Sequence, residues 1–252
     1  MVCLTRPRGG KLAYRAGIKP NRRCFCAPLT NQEVGFYCRC GERGGAVAKQ
    51  ERAERTRANL IRSAAAVFDQ VGYERATLAV ISDHAQVTKG ALSFHFAAKS
   101  ELARAVQVEA CATSGAALRV CAERPGPAFQ SVVDMTYTLV GLLESDVVTR
   151  AGVRLARELE TPEDPALHCH VNWLGSLFHA LRRAEADGTA LPGADARSAA
   201  ALVMSVIVGA ETMARTRADM AFGEGLAAPR ETAQEWLARM WSVVRPVLAT
   251  AA

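Results

Sequence analysis

The sequence lacks a long apolar run, because Arg, Glu or Asp interrupts each of its hydrophobic stretches. No stretch approaches the roughly 20 consecutive apolar residues that span a bilayer. The basic N-terminus, MVCLTRPRGGKLAYRAG, also lacks the apolar centre of a secretory signal. These absences argue against a membrane-spanning or secreted protein, so we expect a cytoplasmic protein with no membrane partner.

Cysteine is present, but not in the pattern of a disulfide framework. Five of the eight cysteines lie in the first forty residues, and Cys111, Cys121 and Cys169 are widely spaced in helical patterns. Disulfides are also rare in the reducing cytosol. Two C-x-C pairs, at 24–26 and 38–40, leave zinc as an alternative, but this spacing departs from the usual C-x₂₋₄-C. We therefore expect no metal and no cofactor.

The sequence contains no motif typical of an enzyme. A G-x-S-x-G elbow, an H-E-x-x-H pair and a phosphate-binding glycine loop are all absent. The run His168-Cys169-His170 has no nearby carboxylate pair, which disfavours a metal centre there. We predict that the chain is not an enzyme, and a helical enzyme acting on a small molecule is the disfavoured alternative.

Residues 1–46 are rich in Gly, Arg and Cys and have no apolar period, so we predict a disordered basic extension. They hold nine basic and two acidic side chains. An alternative hypothesis is that translation starts at Val47 and that Glu42–Gly45 is read from a purine-rich ribosome-binding stretch. Peptides upstream of Val47 in the native protein would refute it.

From Lys49 onward the apolar positions recur at helical spacing, and we find neither strand-like alternation nor an internal repeat. The sequence predicts an all-α fold of about nine helices, with a helix-turn-helix domain at 47–98 and a second helical domain at 99–252. The predicted helices are a first that ends at Gly72, a second from Thr77, a third from Thr88 to Phe94, and Lys99–Glu123, Ala128–Glu144, Val147–Glu160, Leu167–Asp187, Asp195–Ala218 and Pro229–Ala249.

Two short helices meet at Ala85–Thr88 in a pattern typical of DNA binding. Ala85 is small where the helices cross, and Val87 is an apolar plug for the core. Thr88 is the predicted N-cap of the second helix, whose small first turn lets the backbone approach a major groove. An ordinary helical hairpin in a core is the alternative.

The charge supports this interpretation, because residues 47–102 have a small basic surplus and residues 103–252 a small acidic one. We expect the basic end of the folded part to contact phosphates. The predicted DNA-binding residues are Lys49, Arg52, Arg57, Thr77, Thr88, Lys89, Gly90, Ala91, Ser93, Phe94, His95 and Lys99.

Four segments, at 54–61, 68–73, 87–92 and 94–99, resemble the DNA-binding region of TetR-family repressors in order and spacing. The resemblance implies that the third helix enters the major groove. The sequence departs from the family at Ser93, where an aromatic residue that touches phosphate is common. This departure implies the loss of one aromatic contact.

The second domain resembles the γ-butyrolactone receptors of actinomycetes, through Asp146–Leu155, Pro165 and His170–Trp173. The resemblance implies that Trp173 lies against a lactone signal, with an apolar wall and one N–H donor. Cys111 maps to the same cavity by resemblance, although a thiol that only fills core space suits its chemistry better. The candidate ligand-binding residues are Trp173, His170, Cys111, Ser205 and Val206.

The resemblance further implies a homodimer that pairs through its last two helices and binds a palindromic operator. The helix Lys99–Glu123 would link the DNA-binding end to the ligand. A pseudo-receptor that responds to antibiotics or their intermediates is the alternative within the same fold. For the cationic stripe Arg150, Arg154 and Arg157 we expect a solvated face, because Glu158 and Glu160 follow it.

Overall fold

The computed structural model describes residues 43–159, 164, 167–190, 193, 195–216 and 232–250, with side chains from residue 50 onward except those of 214–216. Within these ranges the backbone forms nine helices and no strand beyond one isolated bridge, which confirms the all-α prediction. The helices are α1 (Arg43–Arg75), α2 (Leu78–His84), α3 (Lys89–His95), α4 (Lys99–Glu123), α5 (Ala128–Ser145), α6 (Val147–Glu158), α7 (Cys169–Ala186), α8 (Ala196–Thr216) and α9 (Ala233–Leu248).

The chain divides into two compact units, Met1–Arg55 and Thr56–Ala252. In the first unit, α1 begins at Arg43, so the last residues of the segment predicted to be disordered are helical. The Gln50 amide there donates a hydrogen bond of 3.1 Å to the Glu54 carboxylate, one turn further on. The predictions for residues 1–42, including both C-x-C pairs, lie outside the described residues.

The second unit contains a first apolar core, formed around α1, α2 and α3. Leu60, Ala64 and Phe68 recur at helical spacing on α1 and are fully buried. The helix breaks at Gly72, whose φ of 80° is favourable only for glycine, as the sequence predicts. One more helical turn then leads to α2.

The N-terminal half of α4 and one face of α6 complete this first core. Val106 of α4 and Leu155 of α6 are both fully buried in it. The two helices come very close at Gly152, where a Cβ atom would overlap the Cβ of Ala110. Glycine at this position therefore sets the spacing between α4 and α6.

A second apolar core lies among the C-terminal half of α4 and helices α5, α7, α8 and α9. The rings of Phe129 and Trp241 meet edge to face with centroids 6.0 Å apart. The indole of Trp241 donates a buried hydrogen bond of 2.8 Å to the Thr136 hydroxyl. α5 and α9 are therefore joined by both apolar and polar contacts.

By length and composition alone, Ala196–Met213 of α8 is apolar enough to cross a membrane. In the fold, Val203, Ile207 and Ala210 of this segment are buried in the second core. The apolar character of α8 therefore has an explanation in core packing.

Candidate functional site

The hydroxyls of Thr77 and Thr88 cap the two helices of the helix-turn-helix. Thr88 Oγ1 accepts a hydrogen bond of 3.1 Å from the backbone N–H of Ala91, and Thr77 Oγ1 accepts one of 3.2 Å from Val80 N–H. The sequence predicted both N-caps from residue type, and the geometry confirms them. Each exposed hydroxyl still carries a proton for a phosphate oxygen.

The turn between α2 and α3 is held from both sides. Gln86 adopts a positive φ of 55°, and Val87 N–H donates to Ser82 C=O over 3.0 Å. The Asn59 amide of α1 donates to the Ala85 carbonyl over 3.1 Å. These bonds fix the angle at which α3 leaves the turn.

α3 turns one side inward and the other to solvent. Leu92 is buried in the first core, whereas Lys89, Gly90 and Ser93 are exposed. A Cβ at Gly90 would meet only the Thr88 hydroxyl, at 3.9 Å, so the surface there is open to a close approach. Ala91 is half-buried at the edge of the exposed surface.

The C-terminal turn of α3 exposes an aromatic ring. Phe94 is 83% exposed, and its ring meets His95 edge to face at 5.3 Å. A large apolar side chain this exposed on a short helix is typical of a contact surface rather than of a core.

Two residues predicted to contact DNA, Lys99 and Arg57, make contacts within the protein. The Lys99 ammonium donates to the carbonyls of Tyr73 at 2.9 Å and Ala76 at 3.2 Å, and it lies 4.1 Å from the Tyr73 ring centroid. This geometry favours a structural role for Lys99, which fastens α4 to the end of α1. The Arg57 guanidinium lies 5.1 Å from the Phe96 ring centroid but remains exposed.

The roles of Lys49 and Arg52 in DNA binding remain predictions. Both residues lie on α1 in the first compact unit. Arg52 is exposed there, and the side chain of Lys49 lies outside the described residues.

In the second core, Trp173 of α7 is fully buried. Its Nε1 donates a hydrogen bond of 2.9 Å to the Ser114 hydroxyl of α4, which itself donates to the Ala110 carbonyl over 2.8 Å. The ring of His170 meets the Trp173 indole edge to face at 5.2 Å. Burial, with smaller contributions from Arg157 and His168, lowers the pKa of His170 and favours its neutral form.

The structure brings Cys111 and Val206 to the same region but not Ser205. Cys111 packs against the second core, and its sulfur lies 2.6 Å from that of Cys169 at the start of α7. Val206 is buried in the core that contains Trp173. Ser205 is exposed, and its hydroxyl donates back to Ala201 C=O of the same helix over 2.9 Å.

Gln107 is a candidate that the sequence analysis missed. It is only 1% exposed, and its Nε2 has no hydrogen-bond partner among the described residues. Gln107 lies one helical turn before Cys111 and two before Ser114, so the three share a face of α4. The available signal was an amide flanked on this face by Ala103 and Ala110, and it is a weak one because a single residue forms no period.

α6 contacts α1 through two arginines, contrary to the expected solvated face. Arg150 forms an ion pair of 2.8 Å with Asp69, and Arg154 Nη1 donates to the Asp69 carbonyl over 2.7 Å. The Arg150 and Asp69 side chains are only 22% and 17% exposed. The sequence did not reveal this role, because the acceptor groups of Asp69 lie some eighty residues earlier in the chain.

Glu158 completes the connection between α6 and α1. Its carboxylate accepts hydrogen bonds of 2.6 Å from both Tyr73 N–H and Arg154 Nε. Burial opposes ionisation, but these hydrogen bonds and the Arg154 charge outweigh it and lower the pKa of Glu158. The end of α1 at Gly72 is thus held by an ionised carboxylate.

α8 and α9 leave apolar side chains unburied. Val208 of α8 is 37% exposed, and Val243 of α9 is 72% exposed. The Nε1 of Trp236 on α9 is buried and, among the described residues, has no hydrogen-bond partner. Other exposed or half-buried apolar residues of the two helices are Leu202, Met204, Met213, Met240, Val244 and Val247.

No group of three His, Cys, Asp or Glu side chains that could hold a metal ion occurs in the described part of the chain. His170 of the run 168–170 faces Trp173, and Cys169 faces Cys111.

Comparison with known families adds independent evidence for the DNA-binding end. Residues 60–106 match the family model for bacterial regulatory proteins of the tetR family. The A-factor receptor protein of Streptomyces griseus is 33% identical over 177 residues, which cover 69% of this chain. The match spans 61% of that receptor's own length.

Solved structures match most of the chain. A γ-butyrolactone receptor described as an ArpA-like protein has 31% identity and a TM-score of 0.65, and the match covers 79% of this chain and 91% of that one. CprB of Streptomyces coelicolor, solved with its operator sequence, has 31% identity and a TM-score of 0.57, with 77% and 99% covered.

The fold and these likenesses define a helix-turn-helix transcriptional regulator. The chain belongs to the TetR family, in the group of the γ-butyrolactone receptors.

Proposed function

We propose that this protein is a dimeric, ligand-responsive transcriptional repressor that inserts α3 into the major groove of a palindromic operator. The observation that carries the proposal is the exposed face of α3, capped by Thr88 and open at Gly90. A helix capped in this way directs backbone N–H groups and small side chains at a duplex. The CprB relative is described in complex with its own operator.

Within this interface, Lys89 at the start of α3 contacts phosphate or a base edge, and Ser93 donates one hydrogen bond. Phe94 and His95 lie against the sugar-phosphate backbone at the far end of α3. Arg57, Thr77, Thr88, Gly90 and Ala91 complete the proposed surface of the second unit. For Lys49 and Arg52 of the first unit we propose contacts with flanking phosphates. Lys99 is left out, because its ammonium already holds α1 and α4 together.

The repressor acts as a homodimer paired through α8 and α9. These helices expose apolar side chains, of which Val243 is the most exposed. In the dimer, α8 and α9 of a second copy bury them. Two-fold pairing would place the two copies of α3 about 34 Å apart, or a multiple of that distance. The protein works in the cytoplasm, where its operator is.

The effector is a small, uncharged, largely apolar molecule held between α4 and α7. Trp173 and Val206 supply apolar walls, and His170 and Cys111 lie at the edge of the same region. The Nε2 of Gln107 has no hydrogen-bond partner in the described part of the chain, and it suits a carbonyl acceptor such as that of a γ-butyrolactone, because a buried amide donor without a partner costs about 1–3 kcal/mol.

The effector releases DNA by changing the tilt of α4. This helix contacts the first core through Val106 and the effector region through Ser114, so its movement shifts the recognition helices relative to each other. A ligand with a roughly 100-fold preference for the tilted state contributes about 2.7 kcal/mol, which is enough to relieve repression substantially.

The DNA-binding proposal is tested with the palindromes near the protein's own gene, by fluorescence anisotropy over a series of salt concentrations. We expect binding that weakens steeply with salt. Lys89→Gln should reduce the salt slope by about 1, whereas Arg119→Gln, an exposed charge on α4, should leave it unchanged. Binding that ignores sequence and salt would refute the proposal.

The effector class is tested on the bound complex with synthetic γ-butyrolactones. Release of the DNA by lactone, lost in Gln107→Leu with DNA affinity retained, would support the proposed site. Release by antibiotics and not by lactones would contradict the effector class and indicate a pseudo-receptor.

A further inference from the structure

Two cysteine sulfurs meet where α4 and α7 come together. Cys111 Sγ on α4 lies 2.6 Å from Cys169 Sγ at the first residue of α7. Both are free thiols in the structure. A disulfide bond measures about 2.05 Å, so the two sulfurs already lie within about 0.5 Å of bonding distance.

The two thiols differ in burial and in how readily they lose a proton. Cys111 is half-buried and Cys169 is buried. The hydrogen bond between Cys111 and Cys169, aided by one with Asn172, lowers the pKa of Cys111 against the opposing effect of burial. The same contact and its own burial raise the pKa of Cys169. Cys111 therefore loses its proton more readily than Cys169, which favours Cys111 as the nucleophile of the pair.

We propose that Cys111 and Cys169 form a reversible oxidation site, at which hydrogen peroxide converts the two thiols into a disulfide between α4 and α7. The half-buried Cys111 is the attacking sulfur, and the adjacent Cys169 is the resolving one. This arrangement, a reactive thiolate beside a resolving thiol, is the one found in redox-sensing cysteine pairs.

In the first step the Cys111 thiolate attacks one peroxide oxygen, so that an S–O bond forms, the O–O bond breaks and hydroxide leaves. The sulfur loses two electrons and becomes a sulfenic acid, while peroxide is reduced. In the second step Cys169 sulfur attacks Cys111 sulfur, an S–S bond forms and the S–O bond breaks. The Cys169 proton leaves with the hydroxyl group as water. Dithiothreitol reverses the change by two thiol–disulfide exchanges.

The disulfide would tie together the two helices that the proposed function requires to move. Cys111 precedes Ser114 by three residues and Cys169 precedes Trp173 by four, so the new bond lies one turn from the Trp173–Ser114 hydrogen bond. Cross-linking would hold α4 in the tilt of the present structure. This consequence for DNA release rests on the proposed function, but formation of the disulfide does not.

The test starts from full-length protein reduced with dithiothreitol, freed of it, treated with hydrogen peroxide and then alkylated. Trypsin should release Cys111 in a peptide spanning 105–119 and Cys169 in one spanning 158–182, and neither peptide contains another cysteine. We expect loss of both alkylated peptides, gain of their disulfide-linked pair, and return of the alkylated forms after reduction.

Three variants distinguish this pair from the other cysteines. Cys169→Ser should prevent the link and let dimedone trap a sulfenic acid on the 105–119 peptide. Cys111→Ser should abolish both products. Cys121→Ser, on the same helix but in contact with Thr138 and away from the pair, should behave as wild type.

Persistence of both alkylated peptides in peroxide-treated wild-type protein would overturn the proposal, as would a link from either cysteine to a different one. Because the peptide assay uses wild-type protein, it holds even where a variant fails to fold. Linked peptides in a protein that fails to bind DNA would leave the oxidation site standing and refute the proposed function alone. If DNA binds, oxidised protein should release less of it with lactone than reduced protein.

Discussion

The Nε1 of Trp173 donates a buried hydrogen bond of 2.9 Å to the hydroxyl of Ser114, which joins α7 to α4. The N–H that the family resemblance offers to a signal molecule is thus already in use within the protein. A ligand that accepts from this N–H has to displace Ser114. Such an exchange would convert ligand binding into a change on the helix that leads to the DNA-binding end.

Ser114→Ala should destabilise the protein by about 1–3 kcal/mol, because it leaves the Trp173 N–H buried without an acceptor. In a Trp173→Phe background the same change should cost less, since no N–H is then left unpaired. Urea unfolding of the four proteins should give a coupling energy of about 0.5–3 kcal/mol.

The control for this cycle is Ser176→Ala on α7, whose hydroxyl bonds only its own helix at Asn172. We expect a change within about 0.5 kcal/mol. A coupling energy of zero between Ser114 and Trp173 would contradict the hydrogen bond.

Gly152→Ala should separate α4 from α6, because the added methyl would occupy the position of the Ala110 Cβ. Overpacking of this kind typically costs about 1–3 kcal/mol. The matched control is Gly175→Ala on α7, where a Cβ meets nothing within 4 Å. This second change should stabilise the helix by about 0.5–1 kcal/mol.

Thermal unfolding should therefore move the two glycine variants in opposite directions. Equal effects at Gly152 and Gly175 would mean that the close approach of α4 and α6 has no energetic consequence.

Local signals in the sequence predict most of the fold. The apolar spacing, the caps at Thr77 and Thr88 and the stop at Gly72 depend on neighbours a few residues away, and the structure confirms them. The same reasoning predicts α4 with its observed ends, because Pro125 closes it. The start of α7 has no such signal, and the sequence analysis placed it at Leu167, two residues before the observed start at Cys169.

Contacts between distant segments were the part that sequence reasoning could not reach. Arg150 was interpreted as a solvated charge because its partner Asp69 lies on another helix. Lys99 was assigned to phosphate because its three carbonyl acceptors are backbone groups, which leave no mark in a sequence. Gln107 was overlooked because burial decides its importance, and a single amide gives no periodic signal.

His170 should make the protein less stable as the pH falls below about 6.5, where a free imidazole takes up its proton. Burial lowers the folded-state pKa, so in this range the unfolded chain binds the proton more readily than the folded one. The stability that the neutral His170 imidazole contributes is fully present above about pH 6.5 and is lost as the pH falls towards the lowered pKa of the folded state.

Urea unfolding at pH 8 and at pH 5.5 measures this effect. His170→Asn, which has no group that titrates there, should lose less stability between the two pH values than wild type. A drop of the same size in both proteins would show that His170 does not carry the pH dependence.

The ion pair between Arg150 and Asp69 should be worth about 1–3 kcal/mol, because both side chains are largely buried and the contact is also a hydrogen bond. Arg150→Met or Asp69→Asn should each destabilise the protein, and the double variant should lose less than the sum. Arg182→Met, which removes an exposed pair with Glu185, is the control and should change stability by less than about 1 kcal/mol.

The same ion pair allows a test of signal transmission, because α6 contacts the end of α1 through Arg150 and Asp69. If α6 transmits the effector signal, Arg150→Met should retain DNA binding and respond to lactone at a shifted concentration, whereas an unshifted response would restrict the pair to a structural role.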